Sequence, residues 1–143
     1  MRSRRWWARE NHAVTRDDEC PCGSGSAYVA CCGRLHRGDA TAQTAEELMR
    51  SRYSAFVVLD SDYVLRTWHP ATRPASVEFD PDLRWTGLEV LGTSAGGPED
   101  AKGTVEFRAS YVAAGEPGAL HEVSRFFRVG GAWVYVRGKL IES

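Results

Sequence analysis

From Thr44 onward the apolar positions recur first at a helical and then at a strand period. Ala45, Leu48, Met49, Tyr53, Phe56 and Val57 repeat close to every 3.6 residues, which predicts a helix with one buried face. Thr44 stands at the N-cap position and Glu47 completes a capping box, and the helix is expected to run to about Leu59. Asp60 and Ser61 predict the start of a second helix over about 62–68, packing through Tyr63, Val64 and Trp68. Pro70 is expected to stop it, because the residue before a proline is pushed out of helical geometry. Residues 70–84, with three prolines, predict a loop holding one short strand at 76–79. Beyond it the period falls to two. Strands are expected at 85–91 and 104–112, the second with Val105, Phe107, Ala109 and Tyr111 on one face. The intervening 92–103 is turn-rich. A turn at 115–118, a long strand at 120–129, a Gly130-Gly131 hairpin turn and a last strand at 132–137 complete the pattern. Helices followed by a meander predict an α+β domain with an antiparallel sheet curled over the helices.

Composition bounds this picture without changing it. The 143 residues are 43% hydrophobic and 26% charged, near the globular average. Ala55 to Leu59 is an apolar run of five residues and no run exceeds six, so no membrane-spanning helix is expected. Charge does change the picture. Residues 1–38 hold seven Arg and four acids, whereas residues 39–143 hold eleven Lys/Arg and fifteen acids. A basic arm (1–17) thus precedes an acidic body (44–143), with a cysteine-bearing segment (18–38) between. The arm carries only Trp6, Trp7 and Ala8 after its first arginines, too few for a secretory apolar stretch. It is expected to lack fixed structure or to touch an anionic surface or nucleic acid through Arg and Trp.

All four cysteines fall in one window: Cys20, Cys22, Cys31 and Cys32. Without a secretory signal the expected compartment is the reducing cytoplasm, where such a cluster favours metal over disulfides. The spacing C-x-C-x8-C-C can close a tetrahedron around one structural Zn2+ per chain, with no open position for catalysis. The backbone of Gly23, Ser24 and Gly25 is expected to reverse the chain and donate to the thiolates. His36 is the competing fourth ligand.

Cys20-Pro-Cys-Gly-Ser-Gly25 with Cys31-Cys32-Gly33 resembles the SEC-C zinc motif, and the resemblance assigns the metal-ligand role to those four cysteines. Leu48-Met-Arg-Ser-Arg-Tyr-Ser-Ala-Phe56, Thr67-Trp-His-Pro70 and His121-Glu-Val-Ser-Arg-Phe126 resemble the YchJ-like family of uncharacterised bacterial proteins. That resemblance implies a SEC-C knuckle joined to a nuclear transport factor 2-like (cystatin-like, SnoaL-like) cone. The SecA-type tails that carry the same motif often have lysines between the cysteine pairs. Here the interval is Ser26-Ala-Tyr-Val-Ala30, which weakens any transfer of SecA's partners.

A cone implies an interior, and its expected polar lining is Arg52, Tyr53, Trp68, His69, Glu122 and Ser124. Leu120, Glu122, Ser124 and Phe126 share one face of their strand, and the resemblance turns that face inward. Glu122 near Arg52 reads first as a helix-to-sheet ion pair and second as a general base. Trp133 and Tyr135 read as core. The leading functional expectation is a zinc-stabilised interaction or scaffold module docking a protein or ribonucleoprotein. The alternatives are a ligand-binding protein or small enzyme using the cone, and a thiol-based redox or zinc sensor. A homodimer through the sheet is a further expectation, and a membrane role is not.

Overall fold

The computed structural model describes residues 14–142, so the basic arm lies outside it up to residue 13. A short 3-10 turn, Tyr28–Ala30, leads into helix α1 (Cys32–His36). Helices α2 (Ala45–Val58) and α3 (Ser61–Arg66) follow, then strands β1 (Leu83–Ala95), β2 (Lys102–Ala113), β3 (Glu116–Val129) and β4 (Ala132–Leu140). The strands form one antiparallel meander in the order β1-β2-β3-β4. Register shifts in β1 at Trp85/Gly87 and Val90/Gly92, and in β4 at Val136, which is the extra residue opposite Arg125/Phe126 of β3, bend the sheet.

Local chemistry sets most element ends. The Thr44 hydroxyl accepts the Glu47 N–H at 3.0 Å, as the capping box requires. The return bond goes one residue further back: Glu47 Oε1 accepts the N–H of Gln43. Asp60 caps α3 by accepting the Tyr63 N–H. Gly130 and Gly131 both take positive φ and join Val129 to Ala132.

Four expectations need correction. Helix α3 ends at Arg66, well before Pro70, because the chain then pairs with β4. The N–H of Tyr135 donates to the carbonyl of Thr67 at 2.8 Å, and the N–H of His69 donates to that of Tyr135 at 2.7 Å. Residues 76–79 pair with no strand among the described residues. Prolines at 74 and 81 flank the segment on either side, and it contributes side chains only, Val77 on the core and Phe79 edge-on to Phe56. Half of the 92–103 connection is strand, since β1 runs to Ala95 and β2 starts at Lys102. The turn before β3 is Ala114-Gly115, so Pro117 lies inside the strand opposite Val112.

Helix α2 crosses the concave side of the sheet. Ala45, Leu48, Met49, Tyr53 and Ala55 join Val105, Phe107, Ala109, Phe126 and Trp133 in the core. Its other side, which the sequence pattern leaves for solvent, is buried too: Ser51 and Ser54 are fully covered. The cover is the cysteine-bearing segment together with Tyr63 of α3.

Candidate metal centre and cone cavity

The four cysteine sulfurs lie within 4.8 Å of one another. A tetrahedron with metal–sulfur bonds of about 2.3 Å has edges of about 3.8 Å, and Cys22 Sγ to Cys31 Sγ is 3.7 Å. The donor set therefore fits a single ion. Positive φ at Gly23 and Gly25 turns the loop between the two ligand pairs. Hydroxyls line the sulfurs: Ser24 Oγ is 3.2 Å from Cys31 Sγ, and Ser54 Oγ is 3.7 Å from Cys20 Sγ. The backbone donors to Cys20 are Cys22 and Cys32, not the 23–25 turn. Thiol hydrogen bonds from Cys22 and Cys32 hold Cys20 below the usual thiol range. The bonds those thiols make to Cys20, with burial, push both of them above it. Four such crowded thiols can all ionise only around a cation, so a divalent ion matches the chemistry of the cluster.

The knuckle is welded to the body. Arg50 Nη1 donates to the Cys22 carbonyl at 2.6 Å, and Arg34 pairs with Glu47 at 2.5 Å. Arg66 donates to the carbonyls of Leu35 and His36. His36 is no metal ligand, because both its nitrogens are engaged. Nε2–H donates to the Ser51 carbonyl at 2.9 Å, and Nδ1 accepts from the Tyr28 hydroxyl at 2.6 Å. Burial between Tyr28 and Tyr63 lowers its pKa and keeps the ring neutral.

On the opposite side of α2 lies an open cavity of about 280 Å³ between helix and sheet. Met49, Arg52, Tyr53 and Phe56 form its helical wall. Trp68 closes one side, and Trp85, Phe107, Ala109, Leu120, Glu122, Ser124, Phe126 and Tyr135 form the sheet wall. The Glu122 face of β3 thus looks inward. Ser124 Oγ donates to Glu122 at 2.7 Å, and the carboxylate leans over Gly138, where any side chain would collide with it. Arg52 is only 6% exposed. Its Nη1 donates to the Val64 carbonyl and to Thr67 Oγ1, both at 2.7 Å. Its guanidinium carbon lies 4.5 Å from the Tyr135 ring centre and 5.1 Å from that of Trp68. Burial lowers its pKa to about 10, which leaves it a cation at neutral pH. Burial likewise raises Tyr53 to about 12.

Of the six lining residues expected from sequence, five meet in this cavity and His69 does not. At Trp68 and His69, where the chain bridges to β4, neighbouring side chains point to opposite sides. Trp68 turns in, and the His69 ring lies against Phe127 and accepts the Ala71 N–H. The expected Arg52–Glu122 ion pair does not form within salt-bridge distance among the described residues. Tyr135, read as core, is a cavity wall. Sequence reading also missed Ser54 and Arg50 as neighbours of the cysteines. Their signal was spacing: small or donor-bearing residues on one side of the helix that follows the cysteine segment.

A sequence profile described as the YchJ middle NTF2-like domain matches residues 44–138. A UPF0225 protein of Streptomyces avermitilis is 62% identical over 123 residues, covering 86% of this chain and 85% of the relative. A Streptomyces coelicolor UPF0225 protein is 58% identical, covering 86% and 96%. The solution structure of a SEC-C motif containing protein from Rhodopseudomonas palustris superimposes with a TM-score of 0.75 at 34% identity, covering 87% of this chain and 99% of that one. A Psychrobacter arcticus crystal structure of a SEC-C motif containing protein gives 0.70 at 27% identity, covering 90% and 85%. With the profile spanning residues 44–138 and the relatives covering most of the chain, the chain belongs to the YchJ-like UPF0225 family.

Proposed function

We propose that this chain is a zinc-stapled small-molecule-binding module. The observation that carries the reading is the two-sided use of α2: Arg50, Ser51 and Ser54 face the knuckle, while Met49, Arg52, Tyr53 and Phe56 wall the cavity. An all-thiol tetrahedral donor set suits Zn2+, and a sulfur spread of 4.8 Å suits one ion better than a multi-iron cluster. Such a site closes the coordination sphere, so its work is to fix α2. The cavity, near the small end of ligand-site volumes, takes the ligand.

The same geometry disfavours a knuckle that presents its metal face to a partner. Cys20, Cys22 and Cys32 are buried, with Leu88 of β1 and Ser54 of α2 packed against the cluster. Only Cys31 of the four, beside the Ser24 turn, is half-buried.

Native mass spectrometry under reducing conditions tests the reading, followed by chelation and 1H–15N spectra. One zinc per chain is expected, and its removal should lower the melting temperature and shift the indole resonances of Trp68 and Trp85. Four free thiols without metal, or chelation that leaves those resonances in place, would refute the coupling of centre to cavity.

A further inference from the structure

The guanidinium of Arg52 is a buried cation with half its hydrogen-bonding edge unused. Nη1 serves Val64 and Thr67. Nε and Nη2, the side-on fork of the group, bond to nothing among the described residues and are not sealed from solvent. The residue is 6% exposed and lines the cavity, so the open fork is on the cavity side. A desolvated cation without a counter-ion is costly, and no carboxylate comes within salt-bridge distance among the described residues. Glu122, the carboxylate on the same wall, is held aside by Ser124 and by the space over Gly138. What the fork lacks is a planar acid, for which two parallel N–H donors are the matching geometry. Around it the walls are aromatic and aliphatic, with Phe56, Trp85, Phe107 and Phe126 in reach of an apolar body.

We propose that the cavity binds a small apolar or aromatic carboxylate, with its acid group on the Nε/Nη2 fork of Arg52 and its apolar body against the aromatic walls. This rests on the reading of the cavity as a ligand site and adds the ligand's chemical class. Glu122 acts as a discriminator. Its negative charge repels a dianion, or an acid seated the wrong way round, and so sets the ligand's orientation.

The test uses the zinc-loaded chain and matched probe pairs: 3-phenylpropanoate, indole-3-acetate and hexanoate, each with its primary amide. Binding is followed by calorimetry and by the Trp68 indole resonance, assigned with Trp68→Phe. Each acid is expected to bind at least tenfold more tightly than its amide. Glu122→Gln should tighten the acids several-fold and leave the amides unchanged. Arg52→Met should erase the preference. Because Arg52 also ties α2 to α3, the Glu122→Gln result carries the test if that variant does not fold. Amides that bind as well as acids would overturn the assignment of class and leave the cavity reading standing. No response to any acid or amide would overturn both.

Discussion

Glycine at position 138 is required only if Glu122 lies where the structure has it, which makes the pair a sharp test. Gly138 pairs with Ser124 across the β3–β4 ladder, and Glu122 is its diagonal neighbour on the same face. A methyl group at 138 would coincide with the Glu122 carboxylate and approach its Cγ to 2.9 Å. The carboxylate is the movable partner. Swinging away, it loses the 2.7 Å hydrogen bond from Ser124. Such a bond to a charged group contributes about 1.5–3 kcal/mol, and the open cavity argues for the lower end. Against this, replacing a strand glycine by alanine gains about 0.5–1 kcal/mol from reduced chain entropy. Gly138→Ala alone should therefore destabilise by about 1 kcal/mol. In a Glu122→Ala background there is nothing to displace, and the same change should stabilise by about 0.5–1 kcal/mol. A double-mutant cycle by urea unfolding of the four zinc-loaded proteins should then give a coupling of about 1.5–2 kcal/mol. An effect of Gly138→Ala that is the same in both backgrounds would refute the placement of Glu122.

Three further outcomes are expected. Ala114 holds φ at 51° in the turn before β3, so Ala114→Gly should raise stability by about 0.5–1 kcal/mol, read as a higher melting temperature; a decrease would contradict the turn geometry. His36 is pushed below its ordinary pKa of 6.5 by burial, so the unfolded chain takes up its proton first. Its contribution is complete above about pH 6.5 and is lost as pH falls through the lower folded value. His36→Phe should flatten the acid side of a melting-temperature profile between pH 5 and 7, and an unchanged slope would count against the buried neutral ring. Leu48→Ala, at a fully buried core position, should cost about 2–5 kcal/mol by chemical denaturation.

What was legible in the sequence was what local chemistry encodes. The cysteine spacing, the Thr44 cap, the alternation of 104–112 and the Gly130-Gly131 turn need only neighbours along the chain. What was not legible depended on long-range covering. Ser51 and Ser54 read as the wet side of an amphipathic helix, and they are dry because the knuckle and Tyr63 of α3 fold back on them. The early end of α3 came from a competing partner, the edge of β4, and not from the proline downstream. The same pairing sent His69 out of the cavity while Trp68 went in, a choice that parity along an unrecognised bridge to β4 decides. Arg52 was legible as a lining residue. Its partners were not, since the carbonyl of Val64 and the hydroxyl of Thr67 lie 12 and 15 positions away.

The pairing of 67–69 with β4 has a consequence for self-association. An open four-stranded meander offers two rows of unpaired backbone groups, and exposed rows of this kind zip together from molecule to molecule. Here the β4 row is occupied through Tyr135 by a strap of the same chain, and the Thr72 hydroxyl takes the Val136 carbonyl beyond it. The β1 row is broken twice by bulges. With one margin engaged at Tyr135 and Val136 and the other kinked, neither edge offers an uninterrupted row for sheet growth among the described residues. A second copy that joins this one is therefore expected at the broad face of the sheet, held by side chains.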